Sequence, residues 1–384
     1  MLGTVLPPGS GLDVRDNEIH TSGTGIVIGS DDARIENNSI APTKAGEGND
    51  GIVLTHGLDH TGVARCQVLG NRILAMAGNG IHITSSTVGS AMIKNNFIQA
   101  VAAGGIVMDD DSQANVLSIE NNQLFSLSPL SNDANTSVVG IRVVRARHAD
   151  IGGNVVIGLG TAAVQSPSCT AIQVLATSSA RIAGNQLADI GPASEFLGQG
   201  AGIECGGTFE HLEIAENKVR RNQSPPGAPD RSQWVAVLVR TPGHDRPARG
   251  IPPHFIALAE NVFGIFGKKI FASTRGREMV AVQSNVCEAY GEARAVFVGA
   301  TGALSFNDNR CLFNTRGAPV AEAEVGAAIA SSNYLLGPRD ITALVLRLPD
   351  AAPFTVLGNI TTGPIEVNGN PLTTPWAPLN VIAV

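Results

Sequence analysis

His82, Asp109, Asp110, Arg142, Arg145 and Glu204 have side chains suited to acid, base and charge chemistry, and they recur at matching places in a repeated segment. Asp109 and Asp110 belong to the run MDDDS. Paired carboxylates protonate a glycosidic oxygen and activate water when held at a suitable separation. Acidic residues beside an arginine also suit elimination. There Ca²⁺ or arginine neutralises a uronate carboxylate while a base removes the adjacent proton. Trp234 and Arg240 are candidates for binding a substrate, one by stacking and one by charge.

These residues share a place because the chain is a repeat. The pattern apolar-x-apolar-x-x-Asn-x-apolar puts an Asn at 17, 38, 71, 96, 122, 154, 185, 217, 261, 285, 309, 333 and 359. Spacings of this size mark a stacked repeat array. Between the asparagines a second pattern recurs: GIVI at 25, GIVL at 51, GIHI at 80, GIVM at 105, GIRV at 140, AIQV at 171 and GIEC at 202. Both patterns alternate apolar with variable residues, which is the period of a strand. Nothing with helical length and period interrupts them. Each repeat therefore holds at least two short strands joined by turns and stacked on the next repeat, a parallel β-helix. The Asn after the first strand suits a bend with left-handed backbone, and stacked Asn amides bond to one another as a ladder. Cys287 and Cys311 follow ladder asparagines by two residues, which places them in one inward column.

In G-I-x-V the x residue points out when Ile and Val point in. That position reads Val27, Val53, His82, Val107, Arg142, Gln173, Glu204 and Leu238 along the repeats. Any such solenoid needs a solvated polar face, and this stripe serves that role too. Four consecutive repeats have long connections, Asn122 to Ile141, Asn154 to Ile172, Asn185 to Ile203 and Asn217 to Val237. Loops on a rigid scaffold are where function concentrates.

The I-x-x-N-x-I and G-I-x-V repeats, from about residue 11 to 360, resemble the right-handed parallel β-helix proteins of the pectate-lyase-like superfamily. The resemblance implies an all-β, right-handed parallel β-helix solenoid of about 12–13 turns. It is specific for fold and unspecific for activity, since members include polysaccharide lyases, glycoside hydrolases and non-catalytic tailspike or adhesin modules. Polygalacturonases of this fold carry N-T-D, D-D, G-H-G and R-I-K in order, and only the D-D occurs here. The W-x-D-H of many pectate lyases is absent, and RTPGHDRPAR at 240 misses their arginine spacing by one.

Composition bounds the partners. The chain is 43% hydrophobic but only 4% aromatic, with 44 glycines, which suits thin regular layers more than one compact core. A net charge of -7 without a basic run excludes a nucleic-acid footprint. No apolar stretch is long enough for a membrane span. Five cysteines without a C-x-x-C pair read as buried thiols, and no metal cluster is evident. A cofactor is left open, with Ca²⁺ one option.

The expected domains are a β-helix over 1–360, with a thin N-terminal cap at 1–11, and a Pro-rich cap over 361–384, where Trp376 would cover the last layer. The thin first cap leaves room for an upstream domain or a homo-oligomer contact. No signal peptide is visible, so location stays open: extracellular for a mature or trimmed chain, cytoplasmic otherwise. Two functions fit. One is a β-helix that binds or processes a polysaccharide or surface glycan, with an acidic polymer preferred. The other is a non-catalytic structural or adhesion rod that binds a glycan or a partner protein.

Overall fold

The computed structural model describes residues 11–44, 46–56, 63–127, 137–161, 166–192, 198–207, 209–221, 233–240, 255–266, 268–273, 279–290, 296–299, 302–313, 318–373 and 377–382. The chain divides into two compact units, Met1–Gly200 and Ala201–Val384. Both are built of short strands that pair parallel with the equivalent strand of the adjacent turn.

One turn of the first unit shows the plan. Val88–Lys94 runs to the ladder Asn96, Phe97–Gln99 follows at once, and Gly104–Met108 closes the turn. Each joins its own sheet, so a turn has three strands and the G-I-x-V segment is the third. The sequence marks two of them. The middle strand, two to five residues long, follows the ladder Asn at once, so the pattern apolar-x-apolar-x-x-Asn-x-apolar runs through the first and middle strands as one segment. Among the described residues, strands of the first type number thirteen, Asp13–Arg15 through Phe354–Leu357, in keeping with a parallel β-helix of about that many turns.

Inward residues stack by type. Ile35, Val68, Ile93, Ile119, Ile151 and Ile182 form one register column, and each is fully buried. Each contacts its equivalents above and below, so stability is a sum of neighbouring layers rather than the property of one central core. Cys287 pairs in register with Cys311, as the spacing predicts, and both are buried free thiols.

The Asn ladder is present and fully bonded. Asn96 Oδ1 accepts from the backbone N–H of Asn71 at 2.9 Å and from its Nδ2 at 3.0 Å. Asn96 Nδ2 donates to Asn122 Oδ1 at 2.9 Å and to the Val68 carbonyl at 2.9 Å. The left-handed residue, however, is the one before the ladder Asn. Asp16, Asn37, Asn95, Asn121, Glu216 and Ser332 all have φ between 53° and 58°, and Gly70, Gly153, Gly184 and Gly358 fill the same place. In an Asn-Asn pair the first residue makes the bend and the second makes the ladder.

The outward side of the first-type sheet differs between units. In the first unit it carries ion pairs such as Arg34–Glu36 at 2.7 Å and Lys94–Glu120 at 2.9 Å. In the second unit it carries exposed Phe255, Met279 and Ile329 around an apolar groove of about 530 Å³. At the C-terminal end Ile365–Val367 pairs antiparallel with Asn370–Pro371, and Val381–Ile382 adds parallel to Ile360–Thr361. Asn380 extends the ladder there, accepting from Asn359 Nδ2 at 2.8 Å. Residues 1–10 and Trp376 lie outside the described residues.

Candidate functional site

The third-type strands of the first unit hold the outward stripe in register. Val27 pairs with Val53, Val53 with His82, His82 with Val107, Val107 with Arg142, and Arg142 with Gln173. Alternation turns Ile81 and Ile83 inward to full burial and leaves His82 facing out between them.

His82 is held from both sides. Its Nδ1 lies 2.8 Å from Asp50 Oδ2, and its Nε2 lies 2.8 Å from Asp109 Oδ1. Asp50 comes from the preceding turn and also accepts the Asn79 backbone N–H at 2.6 Å. Asp109 follows Met108 in the next turn, in a bend closed by the Ser112 N–H to the Asp109 carbonyl at 3.1 Å. The hydrogen bond to Asp50 is the main force raising the imidazole pKa to about 9, helped by Asp109 and opposed by burial. His82 is therefore a cation at neutral pH, with both N–H groups committed to carboxylates. Burial pushes the Asp50 carboxyl up, but the bonds from His82 and Asn79 outweigh it and hold its pKa below the ordinary value.

The next turn carries a second linked group. Arg142 Nη2 donates to Asp110 Oδ1 at 2.6 Å, and Arg142 Nε donates to Gln173 Oε1 at 3.1 Å. The arginine is half-buried, and the Asp110 carboxylate is exposed.

The remaining candidates lie elsewhere. Arg145 sits past the third-type strand at a corner, with φ 52° and its N–H on the Leu175 carbonyl at 2.9 Å. It lines a polar cleft rather than the stripe. Glu204 belongs to the second unit. There Trp234 is buried at 1% exposure, with the Arg221 guanidinium 5.8 Å from its ring centre, so it offers no open stacking face. Leu238 is also buried, although its strand position faces out. Arg240 is exposed at the end of Gln233–Arg240. The segment 241–250, and most of the long connections at 128–136, 162–165, 193–197 and 222–232, lie outside the described residues.

Sequence reading missed Asp50. The residue precedes Gly51 at a turn, outside the alternating strand, and only its contact with His82 reveals it. The one available sign is the repeat itself, since Asp50 and Asn79 occupy the same place before consecutive G-I segments. Among the described residues no group of three or more His, Cys, Asp or Glu side chains is placed to hold a metal ion. His82 illustrates the reason, because both its ring nitrogens are taken by carboxylates. Among the same residues no helix is long and apolar enough to cross a membrane.

A family model described as right-handed β-helix region matches residues 3–228, more than half of the chain. The chain belongs to the right-handed β-helix family. That family covers polysaccharide-processing enzymes and non-catalytic rods, so membership establishes the architecture and leaves the activity to the site. Neither the curated proteins nor the solved structures include a significant match to this right-handed β-helix.

Proposed function

We propose that this β-helix binds a polysaccharide, with the glycan lying along the third-type sheet of the first unit. The carrying observation is the pair of linked groups along five successive turns, Asp50–His82–Asp109 and Asp110–Arg142–Gln173. Half-buried Val53 and Val107 lie between and beside them. Fixed polar groups over a small apolar floor suit a sugar ring, whose hydroxyls need directed bonds and whose C–H faces do not. Preorganised side chains also lower the ordering cost of binding.

Binding is favoured over proton abstraction by His82, because a base must be unprotonated at the working pH. The imidazole, with a pKa of about 9, is protonated at neutral pH. Among the described residues Asp50 and Asp109 pair with His82 and Asp110 pairs with Arg142, so the stripe's carboxylates outnumber its cations and neutral sugar units fit it better than a polyanion.

The test is a panel of neutral and acidic polysaccharides, assayed for binding by affinity electrophoresis. The same samples are read for new reducing ends and for unsaturated uronate, with Ca²⁺ and with chelator. The expected result is retention by at least one polymer, weakened about tenfold or more in Arg142→Gln and Asp110→Asn. New reducing ends lost in Asp110→Asn would make the same stripe a hydrolase site. Retention by no polymer, or equal retention of parent and variants, would remove the stripe as the site.

A further inference from the structure

The corner between the third-type and first-type sheets of the first unit holds a second polar feature, separate from the stripe. A cleft of about 270 Å³ is lined there by Arg145, Arg147, Thr87, Gln113, Asn115 and Ser178. Its floor is Ala114 and Ala146, both buried and in register with each other. The small alanines leave the space between the longer side chains open.

The charge is one-sided. Among the described residues, two guanidiniums line the cleft and no carboxylate does. Neither Arg145 nor Arg147 has a side-chain hydrogen bond or ion pair among the described residues. Within the unit Arg15, Arg34, Arg65, Arg142 and Arg181 are each paired with an acid, whereas Arg145 and Arg147 line one cleft together without one. Asp110, one turn before Arg145, is taken by Arg142 instead.

The backbone that presents the pair is fixed. The Arg145 N–H donates to the Leu175 carbonyl at 2.9 Å, and its carbonyl accepts from the Ala114 N–H at 3.3 Å. A left-handed φ of 52° at a non-glycine residue turns the chain there, between Val138–Val144 and Ala146–Gly152. Arginine offers five N–H donors in a planar fork that matches the geometry of carboxylate, sulfate or phosphate oxygens. Hydroxyl groups from Thr87 and Ser178 and amides from Gln113 and Asn115 add neutral donors around the rim.

We propose that this cleft is an oxyanion-binding site, taking a sulfate, phosphate or carboxylate group between Arg145 and Arg147. The inference stands apart from the glycan reading, since it needs no contact with His82, Asp109 or Asp110. The oxyanion has two sources with the same chemistry: a free inorganic anion, or an anionic substituent on a saccharide.

The experiment is calorimetric titration of the full chain at constant ionic strength, held with chloride. The probes are sodium sulfate, sodium phosphate, glucuronate, a sulfated disaccharide and its unsulfated parent. At least one oxyanion should bind while the unsulfated disaccharide does not. Binding should weaken about tenfold to a hundredfold in Arg147→Gln and further in Arg145→Gln/Arg147→Gln, as loss of charge-assisted bonds predicts. Arg72→Gln, which removes the same charge from an exposed strand of the second-type sheet, should leave binding unchanged. Arg147→Gln sits at an exposed strand position, and an unaltered thermal transition verifies its fold. Tighter binding of the sulfated disaccharide than of sulfate upholds the site and identifies a saccharide substituent. Equal or tighter binding of inorganic anions upholds it and identifies a free anion. No oxyanion binding above chloride, or equal weakening by Arg72→Gln, overturns the proposal.

Discussion

His82 Nδ1 lies 2.8 Å from Asp50 Oδ2, and the two residues come from successive turns of the first unit. The bond links neighbouring layers through charged side chains on the outside, as the pairs Arg65–Asp32 and Lys94–Glu120 also do, in addition to the backbone pairing, the Asn ladder and the inward apolar contacts. Its consequences are measurable as stability and as titration.

The pH dependence follows from the two shifted groups. His82 has a folded pKa of about 9, above an unfolded value near 6.5. Its contribution is complete below the unfolded pKa and is lost as pH rises through about 9. Asp50 is depressed, so its contribution is present above the ordinary carboxylate range and is lost as pH falls through its folded pKa. Denaturant midpoints should therefore be flat near pH 5–6 and fall above pH 7. The loss should be about 2 kcal/mol after allowance for partial solvent screening. His82→Ala should abolish the slope above pH 7, and an imidazole resonance of His82 titrating near 6.5 would refute the link.

The ladder predicts a large cost for one amide. Replacing Asn96 by Ala orphans the buried Asn71 N–H, takes one of three acceptors from Asn71 Nδ2, which keeps the Ile35 and Leu69 carbonyls, and removes a donor from Asn122 Oδ1. The expected loss is about 1–3 kcal/mol, the cost of one unsatisfied buried group. The exposed Gln99→Ala should cost about 0.5 kcal/mol or less. Equal costs in urea melts would mean that the ladder contributes nothing beyond the sheets.

Gly80 tests the close packing where the chain enters the third-type strand Ile81–Ile83. A methyl group there would lie 2.7 Å from the Gly105 carbonyl of the next turn and 2.6 Å from Ile98 Cγ2. Gly80→Ala should destabilise by about 1–3 kcal/mol through overpacking, although alanine is the better residue for backbone entropy. The equivalent place at Ala171 already carries a methyl, so the turn bearing it has adapted locally. A stabilised Gly80→Ala protein would show that the turn at Gly80 relaxes as freely as the one bearing Ala171.

The cysteines should be silent. All five are buried free thiols, and burial alone pushes Cys169 up to about 12. Cys66 is also raised to about 12 by burial, with a small opposing effect from the Gln67 N–H. A thiolate is the reactive form. Dithionitrobenzoate should label no thiol in native buffer at pH 8 and five after denaturation. Rapid native labelling of any one would show that its layer opens without global unfolding.

The repeat architecture was legible because it is periodic and because each layer obeys the same rule. The thirteen ladder asparagines, the inward Ile and Val columns and the Cys287–Cys311 pair follow from spacing and alternation alone. So does the outward order Val53, His82, Val107, Arg142, Gln173, since strand pairing in a solenoid preserves register from turn to turn. What the spacing does not encode is the path of the corners. The connections differ in length between repeats, so the approach of Asp50 to His82, and of Thr87 and Ser178 to the cleft that Arg145 and Arg147 line, depends on turn geometry. Leu238 and Trp234 make the same point in reverse: alternation assigns a side of the strand, whereas burial depends on what packs over that side. The left-handed residue before each ladder Asn is likewise a tertiary result. Asp, Asn, Glu, Ser and Gly all occupy it, because the bonds of the adjoining turns impose the bend on whichever residue stands there.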